Sequence, residues 1–232
     1  MTTKQAMPDI RRDIARLDAE SVAKAARFQP AVFADVAGRR GAMHGRIRAI
    51  SPDMKLAGPA LTVEVRPGDN LMIHAAMTLA QPGDILVIDG KGDQSCALMG
   101  ALMMTACKAL KVGGVVVDAA VRDSLELHEL GFPVFSAGTN PNGPTKNVPG
   151  RINWPISCGG VTVSPGDLVI ADADGVVVVE RDRVGSLLRE AEKKTAAEAA
   201  RFDSIRRMEA LRPPWLDVAL RTAGVLNAEE TL

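Results

Sequence analysis

The adjacent residues Arg122 and Asp123 are the first candidates for chemistry in this sequence. They end the stretch GGVVVDAAVRD, residues 113–123, whose apolar part has the composition of a buried strand. Arginine is a planar, permanent cation that binds a carboxylate through two hydrogen bonds, and aspartate is a hard oxygen ligand for a divalent cation. The pair is therefore suited to hold a small oxo acid beside a metal ion. A structural alternative stays open, in which Asp123 caps the next helix and Arg122 is a surface residue.

Gly100 marks a second candidate position, inside an apolar helix predicted from Cys96 to Leu110. If the helix begins near Gly100, the backbone amides of Leu102 and Met103 can bind a carboxylate, because a helix N-terminus carries unpaired N–H groups and partial positive charge. The alternative is a packed helix in which Gly100 only permits close contact with a neighbouring element.

The elements that must position these residues alternate between strand and helix. Three such units in a row predict βαβ crossovers and a largely parallel sheet. Ligands collect at the carboxyl ends of parallel strands, and Arg122 and Asp123 lie just beyond one of these ends. The predicted strands are LTVEV, ILVID, VVVDA and PVFSA, and the shorter predicted helices are NLMIHAAMTLA and SLELHEL.

The flanking segments complete a single predicted α/β domain over residues 1–232. Apolar residues at helical spacing from Pro8 to Ala37, with Gly38 as a stop signal, predict a helical N-terminal extension over residues 1–38. The α/β core covers residues 39–180. It includes a Gly- and Pro-rich loop over 137–150, ordered or flexible, and then only strand patterns. A charged helical arm follows over residues 181–232. The tripeptide PGD occurs three times at unequal intervals and is interpreted as a reused turn.

The composition directs attention to small local sites. The chain of 232 residues has 28 basic and 28 acidic residues, and this zero net charge does not favour binding to nucleic acid or to a membrane. Cys96, Cys107 and Cys158 have no metal-binding spacing and are typical of buried thiols in a reducing compartment. No apolar run reaches the roughly eighteen residues needed to cross a bilayer, and the N-terminus lacks a signal-peptide core. We expect a cytoplasmic protein.

Several stretches, in their order along the chain, resemble the regulator of ribonuclease activity A family. The resemblance covers about residues 35–180 and is carried by PGDNLMIHAA, PGDILVIDG, GGVVVDAAVRD, GFPVFSAGTNPNGP and CGGVTVSPGDLVIADADGVVVV. Enzymatic members of the family are class II pyruvate aldolases that cleave 4-hydroxy-4-methyl-2-oxoglutarate and 4-carboxy-4-hydroxy-2-oxoadipate. The resemblance implies a β/β/α swivelling-domain-like fold and a homo-oligomer, either a trimer or a hexamer.

The resemblance also implies roles for individual residues. Arg122 would bind the pyruvyl group of a 2-oxo acid and stabilise its enolate, and Asp123 would ligate Mg²⁺ or Mn²⁺. Gly100 and the amides of Leu102 and Met103 would receive the substrate carboxylate. Glu192 or Glu198 of a neighbouring protomer would reach the metal through a water molecule.

Two departures from the family pattern keep two functions open. Ala101 stands where catalytic members carry Glu or Asp, and Ala119 stands where glycine is common. Asp93 is a possible substitute for the missing acid, or a loop residue. One hypothesis is a metal-dependent lyase that performs aldol cleavage or oxaloacetate decarboxylation, since both pass through the pyruvate enolate. The other is a non-catalytic ribonuclease regulator that uses only the surface of the oligomer.

The remaining polar residues favour structural roles. His44, His74 and His128 have no metal-ligand spacing, and His74 and His128 are interpreted as packed or capping residues. Asp172 and Asp174 flank the predicted turn of a hairpin. Lys146 either meets an anionic substrate or is solvated.

Overall fold

Strand-forming segments provide ten strands within residues 9–209 and 211–232, the part of the chain that the computed structural model describes. Most are rich in Val, Ile and Leu, which favour a pleated and buried surface. In chain order they are β1 (Arg48–Ala49), β2 (Leu56–Glu64), β3 (Ile85–Met99), β4 (Gly114–Val121), β5 (Val134–Thr139), β6 (Arg151–Ile152), β7 (Ile156–Cys158), β8 (Val161–Val163), β9 (Leu168–Asp172) and β10 (Gly175–Val179).

Seven α-helices and one short 3₁₀-helix, Arg181–Arg183, accompany these strands in the same described part of the chain. The helices are α1 (Ala19–Ala25), α2 (Pro30–Val36), α3 (Leu71–Met77), α4 (Ala101–Ala109), α5 (Ser124–Leu130), α6 (Val184–Arg206) and α7 (Leu216–Thr222). None of the described helices combines the length and apolarity that a membrane span requires.

The main sheet is mixed, with the parallel strands at its centre. Its order is β1-β5-β4-β3-β2-β9-β10, and β6 pairs with β2 beside this path. The pairs β2–β3, β3–β4 and β4–β5 are parallel, and the others are antiparallel. All eight residues of β4 are buried, as expected for a central parallel strand covered on both faces. The predicted α/β class is thereby confirmed.

The start of the long helix differs from the prediction. Residues 96–99 belong to β3, and α4 begins only at Ala101. The polar segment GKGDQS, residues 90–95, also lies within β3, because Asp93 pairs with Ala119 of β4 and Ala97, just after the segment, pairs with Ala120. Pairing between strands has overridden the local helical pattern of the sequence.

The terminal segments are also helical in part. The two short helices α1 and α2 confirm part of the N-terminal prediction, but Ile10 and Ile14 are not helical, and residues 1–8, Pro8 included, lie outside the described part. Ile10 instead forms a β-bridge with Ile152. The chain divides into two compact units, one that runs to Ala191 and one from Glu192 to Leu232. The prediction of one domain stays a prediction.

Candidate active site

The ends of β3 and β4 bring the two sequence-predicted positions together. Met99, the last residue of β3, lies opposite Val121, the last residue of β4. The Arg122 amide donates a hydrogen bond to the Met99 carbonyl at 3.0 Å. Gly100 and Arg122 therefore leave the same edge of the sheet side by side, as the parallel pattern predicted for Arg122.

Asp123 reaches across to α4 instead of capping its own helix. Its Oδ2 atom accepts a hydrogen bond of 2.9 Å from the Ala101 amide and lies 3.7 Å from Arg122 Nε. No side-chain hydrogen bond caps α5, although Asp123 occupies the N-cap position. Its backbone is left-handed, with φ of 62°, a conformation that aspartate tolerates better than most residues. The structural alternative for Asp123 is therefore wrong with respect to its carboxylate.

Gly100 is required at this point because there is no room for a side chain. A Cβ atom at Gly100 would lie 2.9 Å from Arg122 Cγ and would also collide with the Asp123 carboxylate. Gly100 is the N-cap residue of α4, and its carbonyl accepts the bond from the Met104 amide that starts the helix. The condition for an anion site at this helix, a start near Gly100, is met.

The first turn of α4 supplies the electropositive end of this site. The N–H groups of Ala101, Leu102 and Met103 precede the first intrahelical hydrogen bond, so none of them has a partner within the helix. Asp123 takes the Ala101 amide, and the other two amides remain for a ligand. The Leu102 side chain is 87% exposed, so its turn of helix is accessible from outside.

A cavity of about 430 Å³ lies in front of this helix end. This volume lies within the range of roughly 300–1,000 Å³ that is typical of small-molecule sites. The predicted residues Gly100, Leu102, Met103 and Arg122 all line it, and so do Asn70, His74, Gly143, Pro144 and Lys146. A second hollow of about 350 Å³ shares Arg122 and includes Asp123, Ser124 and Asn140. Arg122 thus lies between the two hollows, with 46% of its side chain exposed.

His74 and Lys146 bring further nitrogen groups to the cavity. The interpretation of His74 as a packed or capping residue is wrong, because its side chain is exposed and lines the cavity. Partial burial and the nearby Lys146 ammonium lower the pKa of His74, which favours the neutral imidazole. Within the described part of the chain Lys146 forms no salt bridge with an acid, so the lining of the cavity includes two cations, Arg122 and Lys146, and no carboxylate.

Asn70 is the most deeply buried polar residue of the cavity wall. Its Nδ2 atom donates to the Leu98 carbonyl at 2.9 Å, which fixes the orientation of the amide. Its Oδ1 atom is buried and has no hydrogen-bond partner. Asn70 therefore lines the cavity with an amide group held in place by β3.

The Gly- and Pro-rich loop is ordered and follows the rim of the site. The Asn140 amide donates to the Val121 carbonyl at 3.0 Å, and the Ala97 amide donates to the Asn142 carbonyl at 2.9 Å. The Asn140 side chain also donates to the Gln94 carbonyl at 2.8 Å. These bonds fasten the loop to the long strand β3 and to the end of β4, so the residues that follow reach the cavity in a defined position.

The metal prediction depends on a single carboxylate from this chain. Within residues 9–209 and 211–232 there is no group of three His, Cys, Asp or Glu side chains placed to share an ion. Mg²⁺ commonly keeps several waters and takes one or two carboxylates together with substrate oxygens, so Asp123 fits it. A structural zinc site, which needs four protein ligands, does not fit.

Asp93, the candidate substitute for the missing acid, is not among the residues that line the cavity. Asp93 accepts hydrogen bonds from the amide and the hydroxyl of Ser95, which favours its interpretation as a loop residue. Glu198 pairs with Lys194 at 2.8 Å within α6, and Glu192 is exposed. The choice between these two glutamates as residues given to a neighbouring protomer stays a prediction.

The remaining polar residues have local roles. Cys96, Cys107 and Cys158 are free and buried, as predicted, and burial raises the pKa of the Cys107 thiol to about 12. Asp172 accepts from the Asp174 amide in the β9–β10 turn, which confirms the hairpin.

Comparison with known proteins places this geometry in a family. A family model described as RraA-like (Aldolase/RraA) matches residues 16–178. The chain belongs to the RraA-like family. This membership and its α/β fold agree with the resemblance seen in the sequence.

Two relatives and one solved structure show how close the similarity is. The chain is 44% identical over 159 residues to a Halalkalibacterium halodurans protein named "Putative 4-hydroxy-4-methyl-2-oxoglutarate aldolase", over 68% of this chain and 76% of that protein. A Bacillus cereus protein with the same name is 32% identical over 134 residues, which cover 58% of this chain and 84% of the relative. The crystal structure of Streptomyces coelicolor RraAS2, described as an unusual member of the RNase ES inhibitor RraA family, has 29% identity. It aligns with a TM-score of 0.73, over 85% of this chain and 100% of that one.

Proposed function

We propose that this protein is a lyase that cleaves a 4-hydroxy-2-oxo diacid, such as 4-hydroxy-4-methyl-2-oxoglutarate, to pyruvate. The observation that supports this most is that Arg122 and the open amides of α4 line one cavity, while Asp123 lies in the adjoining hollow and is bonded to the same helix end. The names of two relatives agree with the proposal.

The reaction breaks the bond between C3 and C4 of the substrate. The 4-hydroxyl group loses its proton and becomes a carbonyl, while the electron pair of the broken bond forms an enolate of pyruvate. Protonation of C3 then gives pyruvate, and the other fragment of 4-hydroxy-4-methyl-2-oxoglutarate is a second pyruvate. Negative charge grows on the 2-oxo oxygen, so the barrier is lowered by fixed positive charge at that atom.

The residues of the chain supply binding and fixed charge in this scheme. The Leu102 and Met103 amides bind the C1 carboxylate at the positive end of α4. The Arg122 guanidinium stabilises the enolate oxygen, and its position is fixed by the bond of its amide to Met99. Neutral His74 and the Lys146 ammonium lie along the same cavity, where Lys146 attracts the second carboxylate of a diacid.

Asp123 is the residue that would hold Mg²⁺ or Mn²⁺, with Glu192 or Glu198 of a neighbouring protomer acting through water in a trimer or hexamer. When bound, such an ion supplies Lewis-acid stabilisation of the developing oxyanion. The bond from the Ala101 amide to Asp123 Oδ2 orients the carboxylate beside Arg122, in the hollow that adjoins the cavity. Gly100 makes this approach possible, because any side chain there would displace both Asp123 and Arg122.

The same residues support decarboxylation of oxaloacetate, which yields the same enolate after loss of carbon dioxide in place of a carbonyl compound. Ala101 favours a second candidate function, a protein-binding ribonuclease regulator, because it removes an acid that catalytic members carry. The description of RraAS2 agrees with this candidate.

The deciding experiment is an assay of the purified chain with Mg²⁺ and either 4-hydroxy-4-methyl-2-oxoglutarate or oxaloacetate. We expect pyruvate release above the rate with metal alone, and loss of this release in a chelator. Asp123→Asn should lower the activity at least tenfold, whereas Asp93→Asn, which alters an acid outside the cavity, should not. Absence of pyruvate from the wild-type assay, together with retention of a ribonuclease in a pull-down, would support the regulator instead.

A further inference from the structure

We infer that Asp69 is a positioning residue of the active site, because its carboxylate fixes the loop that presents Lys146 to the second carboxylate of the substrate. This inference rests on the proposed function and adds to it the residue that sets the affinity for diacids. Asp69 does not line the cavity itself. It acts through the backbone of residues 145–148.

The three PGD turns of the chain show that Asp69 is an exception among like residues. Asp84 Oδ2 accepts from the Gln81 amide, and Asp167 Oδ2 accepts from the Ser164 amide, both at 2.8 Å. In each case the aspartate binds the amide three residues before it and so closes its own turn. The Asp69 carboxylate accepts bonds from residues that follow it instead, most of them more than seventy positions away.

The Asp69 carboxylate accepts four hydrogen bonds, three of them from the Gly- and Pro-rich loop of residues 137–150. Its Oδ2 atom accepts from Thr145 Oγ1 at 2.7 Å, from the Asn147 amide at 2.7 Å and from the Val148 amide at 3.2 Å. Its Oδ1 atom accepts from the Leu71 amide at 3.0 Å, at the start of α3. The residue is 2% exposed, so water does not compete effectively for these bonds.

Backbone bonds continue the same connection. The Thr145 amide donates to the Gly68 carbonyl at 2.8 Å, and the Asn70 amide donates to the Thr145 carbonyl at 2.9 Å. Lys146 is thus held between two residues, Thr145 and Asn147, that are both bonded to Asp69. Because the backbone of Lys146 is fixed, its ammonium group moves only by rotation about the side-chain bonds. This limits the conformational entropy lost when the group binds an anion.

The pyruvyl end of the site is positioned by other bonds. Arg122 and the α4 amides are positioned by the paired ends of β3 and β4, and the described bonds of Asp69 do not involve those residues. Weakening the hydrogen bonds between Asp69 and the loop should therefore affect recognition of the second carboxylate and leave the chemistry at the pyruvyl end intact.

The test compares Asp69→Asn with Asp167→Asn, which changes the same tripeptide at a turn outside the cavity. Two reactions are measured for each variant: cleavage of 4-hydroxy-4-methyl-2-oxoglutarate, and exchange of the pyruvate methyl protons with deuterated solvent, which needs only the pyruvyl end. For Asp69→Asn we expect KM for the diacid to rise about tenfold, as for loss of one charge-assisted contact, with kcat and methyl exchange changed less than about twofold. Asp167→Asn should leave all three unchanged.

A merely structural role would give a different result. It would lower kcat and methyl exchange in parallel by reducing the folded fraction, without a change in KM, and that outcome would overturn the inference. Thr145→Val removes only one of the three loop bonds and provides a milder variant if Asp69→Asn does not fold; its KM should rise about threefold.

Hydrogen exchange separates this inference from the proposed lyase activity. In Asp69→Asn the Asn147 and Val148 amides should exchange at least tenfold faster than in the wild type, whereas in Asp167→Asn they should not. If the wild-type protein neither releases pyruvate nor exchanges its methyl protons, the lyase proposal fails, and unchanged protection of these amides would refute the fixing of the loop separately.

Discussion

The turns at Pro67–Asp69 and Pro165–Asp167 have the same sequence but different roles. Asp167 bonds to the Ser164 and Arg181 amides and so joins its own turn to the segment after β10. Asp69 bonds to the loop that borders the cavity. The comparison shows that a short motif fixes the local backbone, whereas the role of its side chain depends on which distant segment packs against it.

The protonation behaviour of the two aspartates follows the same division. Burial raises the pKa of Asp167, and its two backbone bonds only partly oppose this. Burial also acts to raise the pKa of Asp69, but the bonds from Asn147, Thr145, Leu71 and Val148 outweigh it, and the net pKa is lowered. The hydrogen bonds to Asp69 thus outweigh the effect of its burial on the pKa, whereas those to Asp167 do not.

The largest expected effect is that of a change in the cavity, Arg122→Ala, which should reduce catalysis but not stability. Arg122→Ala should lower kcat for pyruvate release by about 10²–10³, the usual loss when one oxyanion-stabilising group is removed. The free energy of unfolding should change by less than about 0.5 kcal/mol, because the side chain is half exposed. Steady-state kinetics and urea unfolding measure the two quantities, with Arg48→Ala as the control. Equal activity in both variants would exclude Arg122 from the chemistry.

The next effect concerns the missing acid. Ala101→Glu should raise activity or metal affinity about tenfold, because it adds a carboxylate beside Asp123 where such outer groups are typically worth ten- to a hundredfold. Thr105→Glu places the same charge one turn further along α4 and should have no effect. Activity assays over a range of Mg²⁺ concentrations provide the measurement. A response shared by both variants would indicate a general charge effect.

Acid titration tests the two aspartates directly. The lowered pKa of Asp69 stabilises the fold above the unfolded value of 3.8, and this contribution is lost as the pH falls through the lower folded pKa. The raised pKa of Asp167 has the opposite sign, since its contribution is full below 3.8 and is lost as the pH rises through the folded pKa. Urea unfolding between about pH 3 and pH 7 should therefore show the penalty of Asp69→Asn shrinking on acidification and that of Asp167→Asn growing. If the loss of stability changed with pH in the same way for both variants, the two aspartates would not differ in the direction of their pKa shifts.

The smallest expected effect is that of Thr145→Val on stability. The variant removes one hydrogen bond to Asp69 Oδ2 and leaves the two amide donors, so the free energy of unfolding should fall by about 0.5–1.5 kcal/mol. Thr162→Val, at an exposed position of β8, is the matched control and should change it by less than about 0.5 kcal/mol. A larger loss at Thr162 would mean that the bond to Asp69 adds nothing measurable.

Local sequence patterns were sufficient to predict the elements that carry Arg122 and Asp123. Apolar runs separated by helical segments predicted the parallel strands, and the edge of the sheet at which Arg122 lies followed from their direction. The start of α4 could not be predicted in this way, because the apolar residues 96–99 are compatible with either a buried helix or a buried strand. Only the pairing with β4 decides between the two.

Some roles in and around the cavity could not be predicted from the sequence, because they depend on contacts between distant parts of the chain. Nothing near His74 in the sequence indicates that it faces Lys146, which lies in a different segment. Likewise, the bonds of Asp69 to residues 145–148 span 76 to 79 positions. The PGD tripeptide was a weak signal, since the same turn occurs twice elsewhere with an ordinary role.

The irregular pairing of β3 with β4 has a consequence for how this protein can change. Between the pairs Ile88–Val117 and Met99–Val121, eleven steps along β3 are matched by only four along β4. The residues of β3 between Ile88 and Asp93 have no paired residue in β4, so a deletion or insertion among them can be absorbed without moving the end at Gly100. A deletion or insertion in β4 would move Arg122 away from Gly100 and the cavity. Differences in length should therefore be tolerated in β3 and not in β4.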